Sequence, residues 1–341
     1  MHKILITGGA GYIGSHTAIE LLGAGYTPVI VDNFVNSSLK SVERIKDITG
    51  KDVALYEGDV ADKSFLSDVF TKEGNISGVI HFAAYKAVGE SMKEPLKYYH
   101  NNLGGLISVL ANMQQHGVVP IVFSSSATVY GDPEQNPIQE TAQIKNASSP
   151  YGATKIVSEM IINDTTRSGI KISAISLRYF NPIGAHESGK IGELPLGVPN
   201  NLVPYLTQVA IGEREKLTIY GNDYDTPDGT AVRDYLHVVD LAQAHIAALM
   251  HLAKQQTPFY DVFNVGTGKG SSVMELVSTF EKVTGVKLKY EIGPRREGDI
   301  PVCFADPSKI ERILGWKAQH SIEDALRDSW RWQQNVNSSR S

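Results

Sequence analysis

Lys3-Ile4-Leu5-Ile6-Thr7-Gly8-Gly9-Ala10-Gly11-Tyr12-Ile13-Gly14 is the stretch on which the fold turns. His2 to Thr7 is short, β-branched and apolar, the composition of a buried strand, and it stops abruptly at glycines. Gly9, Gly11 and Gly14 fit a G-x-G-x-x-G spacing, in which the missing side chains permit a tight turn, the approach of a pyrophosphate to backbone N–H groups, and close helix–strand packing. Ser15 to Ala24 can form a helix whose positive end faces that phosphate. Gly25 ends it, Tyr26 to Val31 forms a second strand, and Asp32 stands near the roughly 20-residue spacing of an acid that binds ribose hydroxyls. Three close glycines alone would describe an ordinary loop. Here strand, helix, second strand and terminal acid all fall where a dinucleotide site needs them. The acid favours NAD over NADP, whose 2′-phosphate it would repel.

Outward from this segment, the 341 residues allow two lobes with a substantial core. A net charge of −5 leaves no broad basic surface, so nucleic acid is not an expected partner. The one cysteine, Cys303, cannot form an intrachain disulfide, in keeping with a reducing compartment. The N-terminus lacks the layout of a signal peptide and no apolar run reaches the length of a membrane span, so a soluble cytoplasmic protein is expected, with no membrane partner.

Further along, Val53 to Tyr56 is a third strand followed by Asp59 and Val60. Asp59 can accept from an adenine amino group or cap the helix starting near Lys63. Val79 to Ala84 is a fourth strand whose exit, Phe82-Ala83-Ala84-Tyr85-Lys86, belongs beside the glycine turn, where small residues let a cofactor pass. A long helix spans Glu94 to His116 and contains Asn101. Pro120 to Phe123 is the fifth strand, ending in the hydroxyl-rich Ser124-Ser125-Ser126. Tyr151-Gly152-Ala153-Thr154-Lys155 opens the next helix, and spacing i, i+4 puts phenol and ammonium on one face. A Tyr-x-x-x-Lys pair usually has no role, yet of fifteen tyrosines Tyr151 alone has a lysine four residues on. The Lys155 ammonium and the positive nicotinamide of NAD+ are together expected to lower the Tyr151 pKa toward a useful range. Ile172 to Phe180 is the sixth strand, with Arg178-Tyr179-Phe180-Asn181 at its exit.

These alternations predict an α/β fold, a Rossmann-type doubly wound parallel sheet with a smaller α/β C-terminal substrate domain. Residues 1–180 form the NAD-binding domain, to which 238–264 returns. Residues 181–237 and 265–335 form the substrate domain, and the chain from Gln333, or at the latest 336–341, is expected to be a frayed tail. His81, His237 and His245 read as structural, and no metal spacing occurs.

The motifs together resemble the extended short-chain dehydrogenase/reductase superfamily and, within it, the UDP-galactose (UDP-glucose) 4-epimerases, over nearly the whole chain. The resemblance is carried by Thr7 to Gly14, Asp32-Asn33, Ser124 to Gly131, Tyr151 to Lys155, Arg178 to Asn181, Pro199-Asn200-Asn201-Leu202, Asp228-Gly229-Thr230, Arg233-Asp234-Tyr235 and Arg295-Arg296-Glu297-Gly298-Asp299. It implies that Tyr151 is the base removing the sugar 4-hydroxyl proton, Ser126 its hydrogen-bonding partner, and Lys155 a ribose ligand that tunes it. The implied cofactor is NAD, held by Gly8, Gly11, Tyr12, Ile13, Gly14, Asp32, Asn33, Asn36, Ser37, Asp59, Val60, Phe82, Ala83, Ala84, Lys86, Asn101, Ser124, Tyr151, Lys155, Tyr179 and Phe180. The implied UDP-sugar contacts are Lys86, Ser126, Tyr151, Phe180, Asn181, Asn201, Leu202, Thr218, Tyr220, Arg233, Arg296, Asp299 and Cys303. Arginines 233 and 296 are suited to clamp a diphosphate. Cys303 matches the position where members restricted to simple hexoses carry a tyrosine, so its smaller side chain implies room for N-acetyl sugars.

Two rival readings share much of this pattern. A nucleotide-sugar 4,6-dehydratase would need an Asp-Glu pair before Val129-Tyr130-Gly131, where this chain has Ala127-Thr128. A silent NAD-binding protein would need no Ser126-Tyr151-Lys155 set. The helices Glu94–His116 and Tyr151–Arg167 carry surplus apolar positions, predicting a homodimer through a four-helix contact.

Overall fold

A computed structural model describes residues 2–145, 147–256, 258–296 and 298–338. In chain order the first lobe runs β1 (Lys3–Thr7), α1 (Tyr12–Gly23), β2 (Thr27–Asp32), α2 (Leu39–Thr49), β3 (Ala54–Glu57), α3 (Lys63–Glu73), β4 (Ile76–His81), α4 (Val88–Lys93), α5 (Pro95–His116), β5 (Pro120–Ser124), a 3-10 turn (Ala127–Tyr130), α6 (Pro150–Arg167) and β6 (Ser173–Tyr179). Then follow β7 (Asn181–Ile183), α7 (Leu202–Ala210), β8 (Leu217–Tyr220), β9 (Val232–Arg233), β10 (Tyr235–His237), α8 (Val238–Leu252) and β11 (Phe259–Val265). The chain closes with β12 (Ser271–Ser272), α9 (Val273–Thr284), β13 (Tyr290–Gly293), β14 (Val302–Cys303), α10 (Ser308–Leu314) and α11 (Ile322–Ser338).

Seven parallel strands form the central sheet in the order β11-β6-β5-β4-β1-β2-β3. Side chains alternate across a strand, so Ile4 and Ile6 of β1 face one side and Leu5 the other. The first side packs against α1, α2, α8 and α10 through Leu21, Ile45, Leu241, Leu249 and Ile310. The second packs against α3, α5 and α6 through Phe70, Leu106, Met113 and Ile162. Helices on both faces of a parallel sheet define a Rossmann-type α/β fold. The winding reverses between β1 and β4, and such a reversal opens a crevice at the carboxyl ends of the strands.

A second core, built on Ile183, Leu206, Ile219, Phe280 and Leu326, unites α7, α9 and α11 with β7 and β8. Short sheets, β7–β10, β12–β9–β14 and β8–β13, frame this smaller lobe. Both α8 and β11 pack in the first lobe, the strand at the edge of the central sheet.

Two expectations need correction. The helix after the glycine turn begins at Tyr12, not Ser15, so Gly14 lies inside its first turn. The chain beyond Gln333 continues in α11 to Ser338, with Trp332, Gln333 and Val336 buried, because this amphipathic helix packs its apolar stripe on the smaller lobe. Of the expected tail, residues 339–341 lie outside the described residues, as does Glu297 of the quoted arginine motif.

Candidate active site

The exits of β1, β4, β5 and β6 converge on one crevice. The turn after β1 is closed so tightly that a Cβ on Gly14 would stand 2.3 Å from the Gly8 carbonyl oxygen, and one on Gly8 would meet Ala83 N at 2.8 Å. Phe82 and Ala83 donate their N–H groups to the Thr7 carbonyl, which fixes the β4 exit beside the turn. Gly11 is the N-cap of α1, makes no side-chain cap, and is followed by no acid in the first turn. That leaves the positive helix end without an internal anion, the arrangement a pyrophosphate needs.

At the end of β2 the Asp32 carboxylate is buried and accepts from Ala10 N at 2.9 Å, Phe34 N at 3.0 Å and Ser37 Oγ at 2.6 Å. Asn33 accepts from Val35 N, so 33–37 is a loop folded around the acid. Asp59 receives the Ala61 N–H, and Val60 is buried beneath Gly105. Capping of α3 falls to Asp62, which accepts from Ser64 N and Phe65 N; the reading of Asp59 as that cap is corrected, Asp62 being the residue directly before the first helical turn.

Where β5 ends, Ser124 carries two contacts: its hydroxyl donates to the Tyr179 hydroxyl at 3.0 Å, and its carbonyl accepts from Lys155 Nζ at 2.7 Å. Ser126 caps the 3-10 turn by accepting from Thr128 N at 3.2 Å, and its hydroxyl stands near enough to the Tyr151 phenol to favour the ionised form. Ser149 caps α6, and Pro150 begins it, placing Tyr151 and Lys155 in the first two turns facing β5. Both side chains are buried.

The expected lowering of Tyr151 does not occur in the protein alone. Burial pushes the phenol well above its ordinary pKa, neighbouring Tyr179 adds to this, and the nearby Ser126 hydroxyl pulls it back only in part. Lys155 is committed to the Ser124 carbonyl, stands 5.9 Å from the Tyr151 ring centroid, and is itself lowered to about 8 by burial.

On the side of the smaller lobe, Asn181 in β7 and Phe180 before it continue the β6 exit. Arg233 lies opposite Cys303 across β9–β14, with its guanidinium 3.6 Å from Asp299. Arg296 stacks over Tyr220 at 4.0 Å, whereas Arg295 next to it is held by the Asp223 carboxylate and the Tyr224 ring. Thr218 donates to Glu291 at the β8–β13 edge. Cys303 packs with Ala127 against a cluster containing Phe180, and burial pushes its thiol up to about 11, so it is neutral. Among the described residues no group of three or more His, Cys, Asp or Glu could hold a metal ion, and no helix is long and apolar enough to cross a membrane. His81 bonds Thr7 Oγ1, His237 caps α8, and His245 bonds the Leu241 carbonyl.

Four residues outside the expected set join these pieces. Glu193 Oε1 accepts from Lys86 at 3.3 Å and from Asn201, the N-cap of α7, at 2.7 Å, linking the lobes. Its irregular Gly/Pro-rich surroundings carry no local signal. Asn102, beside Asn101 and bonded to it, clamps Tyr85 to Thr154 of α6; paired asparagines inside a helix are the clue, since they favour other conformations. Asp234, fully buried, accepts from Thr267, Gly268 and Ala305 and so anchors the neighbours of Arg233 and Cys303. Glu159 forms a buried pair with Arg178 behind Ser125.

Residues 5–329 match the family model described as GDP-mannose 4,6 dehydratase. The UDP-glucose 4-epimerase of Bacillus subtilis is 54% identical over 335 residues, 98% of each chain. Two solved structures cover nearly the full length. One is UDP-glucose 4-epimerase from Stenotrophomonas maltophila with bound NAD and formylated UDP-arabinopyranose, at 48% identity and a TM-score of 0.96, covering 99% of this chain and 100% of that one. The other is UDP-glucose 4-epimerase from Bifidobacterium longum in complex with NAD+ and UDP, at 49% identity and a TM-score of 0.93, covering 98% and 99%.

Proposed function

This chain belongs to the UDP-glucose 4-epimerase family of extended short-chain dehydrogenase/reductases, and from that premise we propose that it inverts C4 of UDP-hexoses, interconverting UDP-galactose and UDP-glucose through a transient 4-keto sugar. The observation that carries the proposal is the buried set of Ser126, Tyr151 and Lys155 at the β5 exit beside the glycine turn, with phenol and ammonium one helical turn apart on α6 and Lys155 Nζ bonded to the Ser124 carbonyl. The open α1 terminus and Asp32 fit NAD, which when bound supplies the hydride acceptor for C4 and a positive ring charge. Tyr151 Oη takes the 4-hydroxyl proton and returns it. Ser126 orients both oxygens, and Lys155 supplies the fixed positive charge that a buried phenol requires before it can ionise.

Inversion demands that the nucleotide be gripped while the sugar turns. Arg233 and Arg296 meet the first demand, since planar guanidinium groups bind phosphates bidentately. Ala127, Cys303 and Phe180 meet the second with an apolar wall that offers the ring no competing hydrogen bond from its side chains. The same wall separates this chain from dehydratases: with Ala127-Thr128 it has neither an acid for the leaving hydroxyl nor a carboxylate for the 5-proton. Purified protein incubated with UDP-galactose and no added cofactor should yield UDP-glucose. A 4-keto-6-deoxy product would mean a dehydratase, and unchanged substrate a silent binder.

The neutral, compact Cys303 also leaves room for an N-acetyl group, so activity on UDP-N-acetylglucosamine and UDP-N-acetylgalactosamine is part of the proposal. Cys303→Tyr should depress turnover of the N-acetylated substrate by about tenfold or more, the range in which steric misfit in a pocket discriminates, and far more than that of UDP-galactose. Equal losses would refute this.

Exposed Leu96, Ile107 and Met160 on α5 and α6 support a homodimer through these helices, and the free Cys303 thiol supports a cytoplasmic location. Sedimentation at micromolar concentration should give twice the chain mass; a monomer would remove the dimer from the proposal.

A further inference from the structure

Behind the hydroxyl-lined end of β5 lies a buried charge pair to which the proposed reaction assigns no task. Glu159 sits on α6 one turn beyond Lys155 and two beyond Tyr151, so all three share a helix face. Its side chain is 6% exposed and that of its partner, Arg178 on β6, 4%. The pair is bidentate: Arg178 Nη2 donates to Glu159 Oε2 at 2.6 Å and Nε to Oε1 at 3.0 Å. Glu159 Oε1 also accepts the Ser125 hydroxyl at 2.6 Å. From Arg178 the network continues through Nη1 to the Tyr130 hydroxyl at 3.0 Å, and from there to Asn264 Oδ1 on β11 at 2.6 Å.

A buried ion pair seldom stabilises a fold better than apolar side chains of the same volume, so its presence is weak evidence of a stabilising role. Its location is more telling. The carboxylate binds the serine between Ser124, whose carbonyl holds Lys155, and Ser126, which lies beside the Tyr151 phenol.

Resting on the epimerase reading, we infer that Glu159 is a positioning residue for the reaction: it pins Ser125, and with it the flanking Ser124 and Ser126, and presents a fixed negative charge one turn from Lys155. The groups facing Lys155 are Tyr151 and Glu159 on its own helix, the Phe123 ring and Ser124 carbonyl from β5, and His81 from β4; Tyr179 of β6 stands one bond further out, on the Ser124 hydroxyl. Around Glu159 itself stand Arg178, Tyr130 and Tyr260. Burial keeps His81 neutral, and Glu159 is the anion of the set. Its charge opposes the burial that drags Lys155 down. Removing an anion beside an ammonium disfavours the charged form, so the lysine must then deprotonate at lower pH.

The full-length protein, labelled with 13C at lysine Cε, reports this directly; the Lys155 signal is the one lost in Lys155→Met. In Glu159→Gln its titration midpoint should fall by about one pH unit or more. The alkaline limb of kcat for UDP-galactose should fall with it, and Glu159→Asp should restore most of both. An unmoved midpoint would overturn the inference. Glu159→Gln strands the buried Arg178 and can unfold the core, so Ser125→Ala provides a second reading that leaves no charge unpaired. Its kcat should drop about tenfold with KM nearly constant, the signature of lost positioning; an unchanged kcat also counts against the proposal. Wild-type protein that turns over no UDP-galactose would sink the epimerase reading instead, while the lysine midpoint is read without turnover.

Discussion

Tyr151→Phe is expected to retain NAD and to lose about 10²- to 10⁴-fold in kcat on UDP-galactose, the usual range for a positioned acid–base group. The substitution removes one oxygen from a buried ring and leaves the packing against β5 in place. Ser126 keeps its bond from Thr128 N, and Lys155 keeps the Ser124 carbonyl. What disappears is the oxygen proposed to exchange the 4-hydroxyl proton. Dinucleotide released on denaturation, measured against protein, checks retention, and a coupled assay for UDP-glucose checks the rate. A variant with more than a tenth of wild-type turnover would place the base elsewhere. Because burial holds Tyr151 above its ordinary pKa, wild-type activity should also weaken as Lys155 loses its proton, on the alkaline side of about 8.

Gly14→Ala should strike the cofactor rather than the chemistry. Its methyl group would stand 2.3 Å from the Gly8 carbonyl oxygen and 2.8 Å from the Gly9 Cα, and neither atom belongs to a side chain that can swing aside. The turn must open, at about 1–3 kcal/mol for overpacking of this kind, and the amides that would cradle the pyrophosphate move with it. Purified Gly14→Ala is expected to carry markedly less NAD and to melt at lower temperature. Gly23→Ala near the end of the same helix is the control. There an added Cβ meets nothing within 4 Å, so NAD content should hold and stability rise by about 0.5–1 kcal/mol. Equal NAD content in the two variants would mean that the turn does not bind the dinucleotide.

How far the site was legible in the sequence depended on how local its determinants are. The glycine spacing, the acid closing β2, the serines ending β5 and the Tyr-x-x-x-Lys step are each written within a few residues, and the parallel sheet follows from their alternation. The reach of Lys86 was not legible, because its partner Glu193 is more than a hundred residues away in an irregular loop. Nor was the capping of α3 by Asp62 in place of Asp59: the helix starts at Lys63 as expected, but both acids precede that start and only the folded turn shows which carboxylate reaches its N–H groups.

By itself the sequence determined the winding of the first lobe, the preference for NAD and the identity of the hydroxyl, phenol and ammonium at the β5 exit, since periodicity, glycine geometry and i, i+4 spacing belong to single segments. Only the tertiary structure decided the direction of the Tyr151 pKa, the commitment of Lys155 to a carbonyl and the pairing of Glu159 with Arg178. Burial and charge at a point are sums over every element packed there, and no one segment contains them.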